Sequence, residues 1–191
     1  KDTPEEQAVE DYRYCLERLH AEADYVVMNV SSPNTPDLRK LQHGDQLKQL
    51  LDVSRETQTR LDQHAGRRVP LVVKVAPDND ETAFAAMAAE LVPEGVDGVI
   101  VSNTTLSREG VAHLPHGNEA GGLSGEPIRA LADRALAQMH GALAGRLPII
   151  GVGGISDVDS ALRKQELGAS LVQVYTGFIY RGPVLVRDIT A

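Results

Sequence analysis

The sequence contains one cysteine, Cys15, and no tryptophan, and aromatic residues make up only 4% of its 191 residues. A single cysteine cannot form a disulfide within the chain, which excludes a disulfide-stabilised framework and fits a reducing compartment. Cys15 stands in a helical pattern beside Tyr12, Leu16 and Leu19. We therefore expect a packed core thiol at this position rather than a reactive one.

Three further shortages narrow the possible functions. The six histidines show no His-Glu-x-x-His spacing and have no partner cysteines, so we expect no metal site. The net charge of −8 argues against a surface for nucleic acid or anionic membranes, because both need clustered lysine and arginine. No apolar run reaches the length of about 18 residues that crosses a bilayer.

Apolar runs alternate with helical patterns along the chain. Predicted strands lie at 25–30, 71–75, 98–101, 148–152 and 171–175. Predicted helices lie at 4–21, 44–63, 79–91, 127–143, 157–167 and from 183 onward. The run at 71–75 shows no alternation, as expected of a strand covered on both faces. This order predicts one α/β domain with a parallel sheet, either an open doubly wound sheet or part of a (β/α)₈ barrel.

The stretch 28–42 carries the densest functional signal. The first predicted strand ends in a loop with two serines, two asparagines and two prolines, and a long helical pattern resumes only after Gly44. A strand that runs into such a stiffened polar loop is typical of an active-site loop on a rigid scaffold. We hypothesise that the loop holds a catalytic base and substrate ligands, although the residues alone do not distinguish Ser31 from Ser32.

Polar residues also follow the other predicted strands. They are Lys74, then Ser102, Asn103 and Thr104, then Gly153 and Gly154, and finally Tyr175, Thr176 and Gly177. Ligands of parallel α/β folds bind at the carboxyl edge of the sheet, where all of these residues would meet. The pattern therefore predicts a ligand site, against the alternative that these residues merely end the strands.

Two features of this edge indicate the chemistry of the ligand. The glycine pair 153–154 allows close backbone approach, with a helix N-terminus just beyond, and suits a phosphate. Lys74 ends an apolar strand, where burial disfavours its charge unless an anion is near or the side chain extends to solvent. Asn29, Asn34 and Asn103 offer amide groups for a planar, carboxylate-bearing heterocycle, although a single asparagine is more often a turn former.

A stretch of 25 residues from Ser102 to Glu126 has no clear periodicity. It could be an active-site lid with hinges at Gly110, Gly117 and the pair 121–122, or a disordered surface connection.

In combination these motifs resemble those of the class 2, quinone-linked dihydroorotate dehydrogenases of pyrimidine biosynthesis. The matching segments are Asn29–Thr35, Val73–Asp78, Ser102–Thr105, Gly121–Gly125, Gly151–Ile155 and Tyr175–Gly177. The resemblance covers nearly the whole chain and implies an FMN-binding (β/α)₈ TIM barrel. Residues 1–191 would supply roughly strands 4–8 and their helices, as the C-terminal part of a single domain. Class 1 enzymes resemble this family but carry cysteine where Ser32 stands, so the serine selects class 2.

The resemblance implies a role for each residue. Ser32 would be the base that takes the C5 proton of dihydroorotate, while the C6 hydride passes to N5 of FMN. The residues that would hold the pyrimidine and its carboxylate are Asn29, Asn34, Asn103 and Thr104, with Asn29 also near the flavin. Lys74 would stabilise negative charge at the N1/O2 edge of the reduced flavin, and Ser102 would contact the flavin. The ribityl phosphate would be held by Gly125, Gly154, Tyr175 and Thr176.

The resemblance further implies a quinone as final electron acceptor. Class 2 members carry an N-terminal extension that meets the membrane, which implies a peripheral location on the cytoplasmic side of the inner membrane. Family members also have three barrel strands before the matching region, so we expect these 191 residues to be a fragment that is inactive alone. Three alternatives remain open, namely another FMN- or phosphate-binding barrel oxidoreductase, a non-enzymatic binding module, and a piece that becomes complete only with a partner chain.

Overall fold

A computed structural model describes residues 3–35 and 37–191. The strands are β1 (Val26–Asn29), β2 (Leu71–Val75), β3 (Gly98–Val101), β4 (Ile149–Val152) and β5 (Leu171–Gln173). The α-helices are α1 (Ala8–Leu19), α2 (Gly44–Ala65), α3 (Glu81–Leu91), α4 (Arg129–Leu143), α5 (Val158–Glu166), α6 (Thr176–Arg181) and α7 (Pro183–Thr190). Short 3₁₀ helices lie at Glu5–Gln7, His20–Glu22, Leu38–Gln42 and Glu126–Ile128.

The five strands form one parallel sheet in the order β1-β2-β3-β4-β5. Each strand pairs with its neighbour in the sequence, without the reversal of strand order that defines a doubly wound sheet. The fold is therefore α/β with the strand order of a (β/α)₈ barrel, of which the chain supplies five strands. This confirms the barrel over the open sheet.

Alternating side chains give the sheet two different faces. One face packs against helices α2, α3 and α4, where residues such as Val73 and Val99 of the sheet meet Leu50, Phe84 and Leu136 of the helices, all fully buried. The opposite face carries polar residues among the apolar ones, including Asn29, Lys74 and Gln173. Hydrophobic packing on one face thus orients the polar side chains of the other.

The structure corrects two predictions made from periodicity. Cys15 is exposed rather than packed in the core, because α1 buries only Leu16 and turns the neighbouring positions to solvent. The predicted strand at 171–175 ends at Gln173, and Thr176 begins helix α6, which the sequence pattern did not predict. Gly177 lies so close to the carbonyl of Ile155 that a side chain there would clash with it.

Within the described residues, no helix is long and apolar enough to cross a membrane. Residues 3–35 and 37–191 also contain no group of three or more His, Cys, Asp or Glu side chains that could hold a metal ion. His20 is the one histidine that is buried in this part of the chain, and its Nε2 lies 2.7 Å from Asp62 Oδ1.

Asp97, which directly precedes β3, joins several elements at the amino end of the sheet. Its Oδ2 accepts hydrogen bonds from the N–H of Leu71 at 2.8 Å and from Gln58 Nε2 at 3.2 Å, and its Oδ1 accepts from Arg68. Burial alone would raise the pKa of Asp97, but the hydrogen bonds from Leu71, Arg68 and Gln58 together lower it. Asp97 therefore ties β2, β3 and helix α2 together as an anion.

We expect Asp97→Asn to lower the free energy of unfolding at pH 7 by roughly 1–3 kcal/mol, because three donors lose a charged acceptor. A carboxyl whose folded-state pKa is depressed stabilises the fold above its unfolded-state pKa of about 3.9 and loses that contribution as the pH falls further. The difference between the variant and the original chain should therefore shrink below about pH 4. Urea unfolding at pH 7, 5 and 3.5 measures it.

Asp24→Asn is the matched control, since Asp24 is exposed. It should change the free energy of unfolding by less than about 0.5 kcal/mol at pH 7. An Asp97→Asn variant as stable as the Asp24→Asn variant would contradict the role assigned to Asp97.

Candidate functional site

The carboxyl ends of the strands open into a cleft of about 410 Å³. Its lining includes nine residues that the sequence pattern placed in one site, namely Lys74, Ser102, Asn103, Thr104, Gly153, Gly154, Tyr175, Thr176 and Gly177. It also includes Gly125, which the family resemblance placed there. Gln173 lines the same cleft from β5. Strand ends that are far apart in the sequence are thus brought together around one space large enough for a small ligand.

Asn29 is connected to this cleft through Asn103. The Nδ2 of Asn103 donates to Asn29 Oδ1 and to Ser31 Oγ, at 3.0 Å in each case. Asn29 Oδ1 also accepts from Ser31 Oγ at 3.1 Å. These three side chains join the loop after β1 to the loop after β3, so the two groups of predicted ligands form one network.

The two serines of the loop after β1 occupy different environments. Ser31 is fully buried and its hydroxyl is engaged by both Asn29 and Asn103. Ser32 is partly exposed, and its Oγ accepts a hydrogen bond from the N–H of Asn34 at 3.2 Å. The hydroxyl of Ser32 therefore takes no part in the network that fixes the hydroxyl of Ser31. The sequence alone does not reveal this difference between the two serines.

Asn34 is exposed and lies beside the long loop. Its Oδ1 is 3.5 Å from the point where a β-carbon of Gly121 would stand. Next to it, a side chain on Gly122 would clash with Thr104 and Pro33. The end of the long loop therefore packs directly against the loops that follow β1 and β3.

Gly125, Gly154 and Thr176 form one small cradle at the other end of the cleft. Gly125 has φ +82° and Gly154 has φ +76°, a left-handed conformation that favours glycine. A β-carbon on Gly125 would lie 2.9 Å from Thr176 Cγ2, and one on Gly154 would lie 2.5 Å from Arg129 Cα. Ser124 Oγ and Thr176 Oγ1 are 2.8 Å apart. Glycine is thus favoured at positions 125 and 154 for two reasons: a side chain would clash with its neighbours, and the backbone has a positive φ.

The turn at Gly154 is supported by Arg129 rather than by a free helix end. Arg129 Nε donates to the carbonyl of Gly154 at 2.8 Å. The first turn of α5 is closed by a capping box in which Asp157 Oδ1 accepts from the N–H of Ser160, and Ser160 Oγ accepts from the N–H of Asp157. The N–H groups of Asp157 and Ser160, just beyond the glycine pair, are therefore engaged by the helix's own cap.

Lys74 extends from the polar face of β2 into the cleft. Burial lowers the pKa of its ammonium group, and no residue among 3–35 and 37–191 forms an ion pair or hydrogen bond with it. In the same lining, Gln173 Oε1 is buried and has no hydrogen-bond partner among the described residues. An uncompensated cation and an unsatisfied acceptor in one cleft indicate a ligand with anionic character and an N–H donor.

The long loop is folded over much of its length. Thr105 and Leu123 form an isolated antiparallel bridge that closes its base. Arg108 donates to the carbonyl of Glu119 at 2.7 Å and also to the carbonyl of Gly121. The turns at 108–119 are therefore tied to the segment that packs against Thr104, and the loop is not the disordered connection that one alternative described.

Four residues of this edge were not singled out from the sequence. Ser124 lies within the glycine-rich segment 121–125, so a closer examination of that motif could have identified it. Gln173 interrupts an apolar run at the end of a strand, which is a usable signal. Arg39 and Arg129 act on backbone carbonyls far away in the sequence, and no local pattern indicates such contacts.

A protein-family model described as "Dihydroorotate dehydrogenase" matches residues 2–191. The curated dihydroorotate dehydrogenase (quinone) of Pseudomonas aeruginosa strain LESB58 is 56% identical over 187 residues, which cover 98% of this chain and 55% of the relative. The protein of the same name from Azotobacter vinelandii is 53% identical over 187 residues, covering 98% and 54%. The chain thus spans about half the length of the curated relatives it matches.

Solved structures agree with the sequence relatives. The crystal structure of ligand-free DHODH from Eimeria tenella superposes with a TM-score of 0.91 at 36% identity, covering 99% of this chain and 55% of the other. The structure of the Eimeria tenella protein in complex with ferulenol gives a TM-score of 0.88 at 34% identity, covering 95% and 52%. The likeness therefore extends over the whole fold of this chain, the five strands of a TIM barrel.

The environment of Lys74 predicts a pH dependence. A lysine whose folded-state pKa is lowered destabilises the fold while it is charged, and this cost disappears as the pH rises towards the unfolded-state value of about 10.4. We expect Lys74→Met to raise the free energy of unfolding at pH 7 and to leave it unchanged near pH 10.5. Urea unfolding of the ligand-free chain at both pH values measures this.

Lys48→Met provides a control with the opposite sign. Hydrogen bonds to Glu94 and Asp52 raise the pKa of Lys48, so its charge stabilises the fold at pH 7. Lys48→Met should therefore lower the free energy of unfolding at pH 7. Equal effects of the two substitutions would show that Lys74 is not under an electrostatic penalty.

Proposed function

The chain belongs to the dihydroorotate dehydrogenase family, and from that membership we propose that the whole protein oxidises dihydroorotate to orotate in pyrimidine biosynthesis. We propose FMN as the hydride acceptor and a quinone as the final electron acceptor, in keeping with the name of the curated relatives. A peripheral site on the cytoplasmic side of the inner membrane, where a membrane quinone is accessible, is part of the same proposal.

The observation that supports the proposal most strongly is the pair of unsatisfied groups in the cleft. A half-buried ammonium at Lys74 and a buried acceptor at Gln173 suit a ligand that carries negative charge and N–H groups on one planar edge. The pyrimidine edge of a flavin has both. The cradle formed by Gly125, Gly154 and Thr176 lies in the same cleft as Lys74. It offers hydroxyl and backbone groups to a phosphate.

The proposed site residues fall into a set that contacts the cofactor and a set that contacts the substrate, and Asn29 belongs to both. Lys74, Ser102 and Asn29 would contact the flavin, and Tyr175 would join the glycine cradle around the ribityl phosphate. The substrate ligands would be Asn29, Asn34, Asn103 and Thr104. When bound, FMN would supply a two-electron acceptor for the hydride at C6 of dihydroorotate. The amide groups of Asn29 and Asn103 are already oriented by the hydrogen bond from Asn103 Nδ2 to Asn29 Oδ1, which reduces the entropy lost on binding the pyrimidine.

Ser32 is the proposed general base that takes the C5 proton of dihydroorotate. A serine hydroxyl is a poor base unless its own proton leaves as it accepts another, so it needs a relay. The hydroxyl of Ser31 already donates to Asn29 and accepts from Asn103. We therefore assign the relay to Thr35 or to water, and we assign Ser31 to holding the loop.

Ser32→Ala in the whole protein should slow flavin reduction by dihydroorotate by about 10²–10⁴-fold, the usual contribution of a positioned base. Orotate should still bind, because Ser32 is not among its proposed ligands. Anaerobic stopped-flow absorbance of the flavin bands measures reduction, and orotate titration of the same bands measures binding.

Ser32→Cys is the matched variant, since a thiol can also act as a base and should restore part of the rate. Ser31→Ala should weaken orotate binding while slowing reduction less than Ser32→Ala does. Near-normal reduction in Ser32→Ala would exclude Ser32 as the base, and a colourless protein that binds no FMN would exclude the proposed function altogether.

A further inference from the structure

One guanidinium group, that of Arg39, connects the loops that follow β1, β2 and β3. Its Nε donates to the carbonyl of Ser31 at 3.2 Å, its Nη1 to Asp78 Oδ2 at 2.7 Å, and its Nη2 to the carbonyl of Thr104 at 3.0 Å. The three acceptors come from three different strand ends. The Arg39 side chain is only 22% exposed, and each of its nitrogens has a protein partner.

The two carbonyls that Arg39 holds are adjacent to predicted substrate residues. The carbonyl of Ser31 belongs to the same planar peptide unit as the nitrogen of Ser32. A hydrogen bond that fixes this carbonyl therefore also fixes the orientation of the peptide plane that leads into Ser32. The carbonyl of Thr104 likewise orients the peptide that follows Asn103 and Thr104. Arg39 therefore connects the loop of the proposed base with the loop of the proposed pyrimidine ligands.

Ser31 is held from two sides by this arrangement. Its hydroxyl belongs to the network with Asn29 and Asn103, and its carbonyl belongs to Arg39. Asn103 of this network lines the cleft. The contacts of Arg39 involve no side chain of a proposed substrate ligand, because they reach two backbone carbonyls and the carboxylate of Asp78.

Arg39 is itself rigidly supported. It lies in the 3₁₀ helix Leu38–Gln42, and Gln42 is 1% exposed. Gln42 Oε1 accepts from the N–H of Ala76 at 2.8 Å, while its Nε2 donates to the carbonyl of Arg39 at 3.2 Å. On the far side, Asp78 Oδ1 accepts from the hydroxyl of Thr105. The guanidinium is thus fixed at its backbone and at its counter-ion.

We propose that Arg39, with Asp78 as its counter-ion, is a positioning residue that sets the geometry between Ser32 and the Asn103–Thr104 pair. The proposal rests on the proposed function, since it concerns the same substrate side of the cleft. A lysine would not replace Arg39, because an ammonium is a point charge and cannot direct donors to three acceptors from a fixed plane.

The test uses the whole protein with bound FMN and the variants Arg39→Gln, Arg39→Lys and Asp78→Asn. Arg39→Gln should weaken orotate binding by about tenfold or more and slow flavin reduction by dihydroorotate, because a charged network of three hydrogen bonds is lost. Arg39→Lys should restore only part of each. The FMN content and the flavin spectrum without orotate should remain those of the unsubstituted protein, since Arg39 does not line the cofactor end of the cleft.

Arg67→Gln is the matched control for general destabilisation. Arg67, like Arg39, has three acceptors, which here are the backbone carbonyls of His20, Ala21 and Ala23, at 3.2, 2.7 and 3.2 Å. These contacts lie at the opposite, amino end of β1 and β2. Arg67→Gln should lower the melting temperature as Arg39→Gln does, but it should leave orotate affinity and the rate of flavin reduction unchanged.

Three outcomes would overturn the proposal. The first is that Arg39→Gln binds orotate and reduces FMN as well as the unsubstituted protein does. The second is that Arg67→Gln shows the same losses, which would mean that both follow from stability. If Arg39→Gln does not fold, unchanged orotate affinity in both Arg39→Lys and Asp78→Asn would decide against it. Failure of the unsubstituted protein to respond to orotate would instead contradict the proposed function.

Discussion

The burial of one sheet face under helices α2, α3 and α4 is the constraint on which the site depends. Strand side chains alternate between faces, so the residues that pack against the helices determine which neighbours face the other way. Val73 and Val75 are fully buried against the helices, and Lys74 between them must therefore point away from them. A slip of one residue would place an ammonium in the apolar core, so hydrophobic packing also fixes the polar cleft.

Much of this arrangement could be predicted from the sequence, for a physical reason. The limits of β2 and β3 agree with the predicted 71–75 and 98–101, because unbroken apolar runs between polar turns leave little choice of boundary. Parallel pairing places all carboxyl ends at one edge, so residues as distant as Lys74 and Thr176 could be assigned to one cleft from the sequence alone. The periodicity of the helices and strands could not predict the strand order, because that periodicity is the same in a barrel and in an open sheet.

What could not be predicted depends on long-range contacts. Ser31 and Ser32 are equivalent in the sequence, and only the approach of Asn103 from β3 separates a buried, engaged hydroxyl from a partly exposed one. Cys15 was misplaced because the helical pattern does not say how much of α1 is covered, and the sheet covers little of it. Arg39 resembles any surface arginine until the carbonyls of Ser31 and Thr104 are seen on either side of it.

The uncompensated ammonium of Lys74 has a consequence for the life of the protein in the cell. A ligand that binds the native state and not the unfolded state shifts the folding equilibrium by mass action, and here an anionic ligand would also remove an electrostatic cost. The fraction of molecules that is transiently unfolded, and therefore open to proteases, depends on the same equilibrium. We therefore expect the steady-state abundance of the protein to follow the supply of the ligand that fills the cleft.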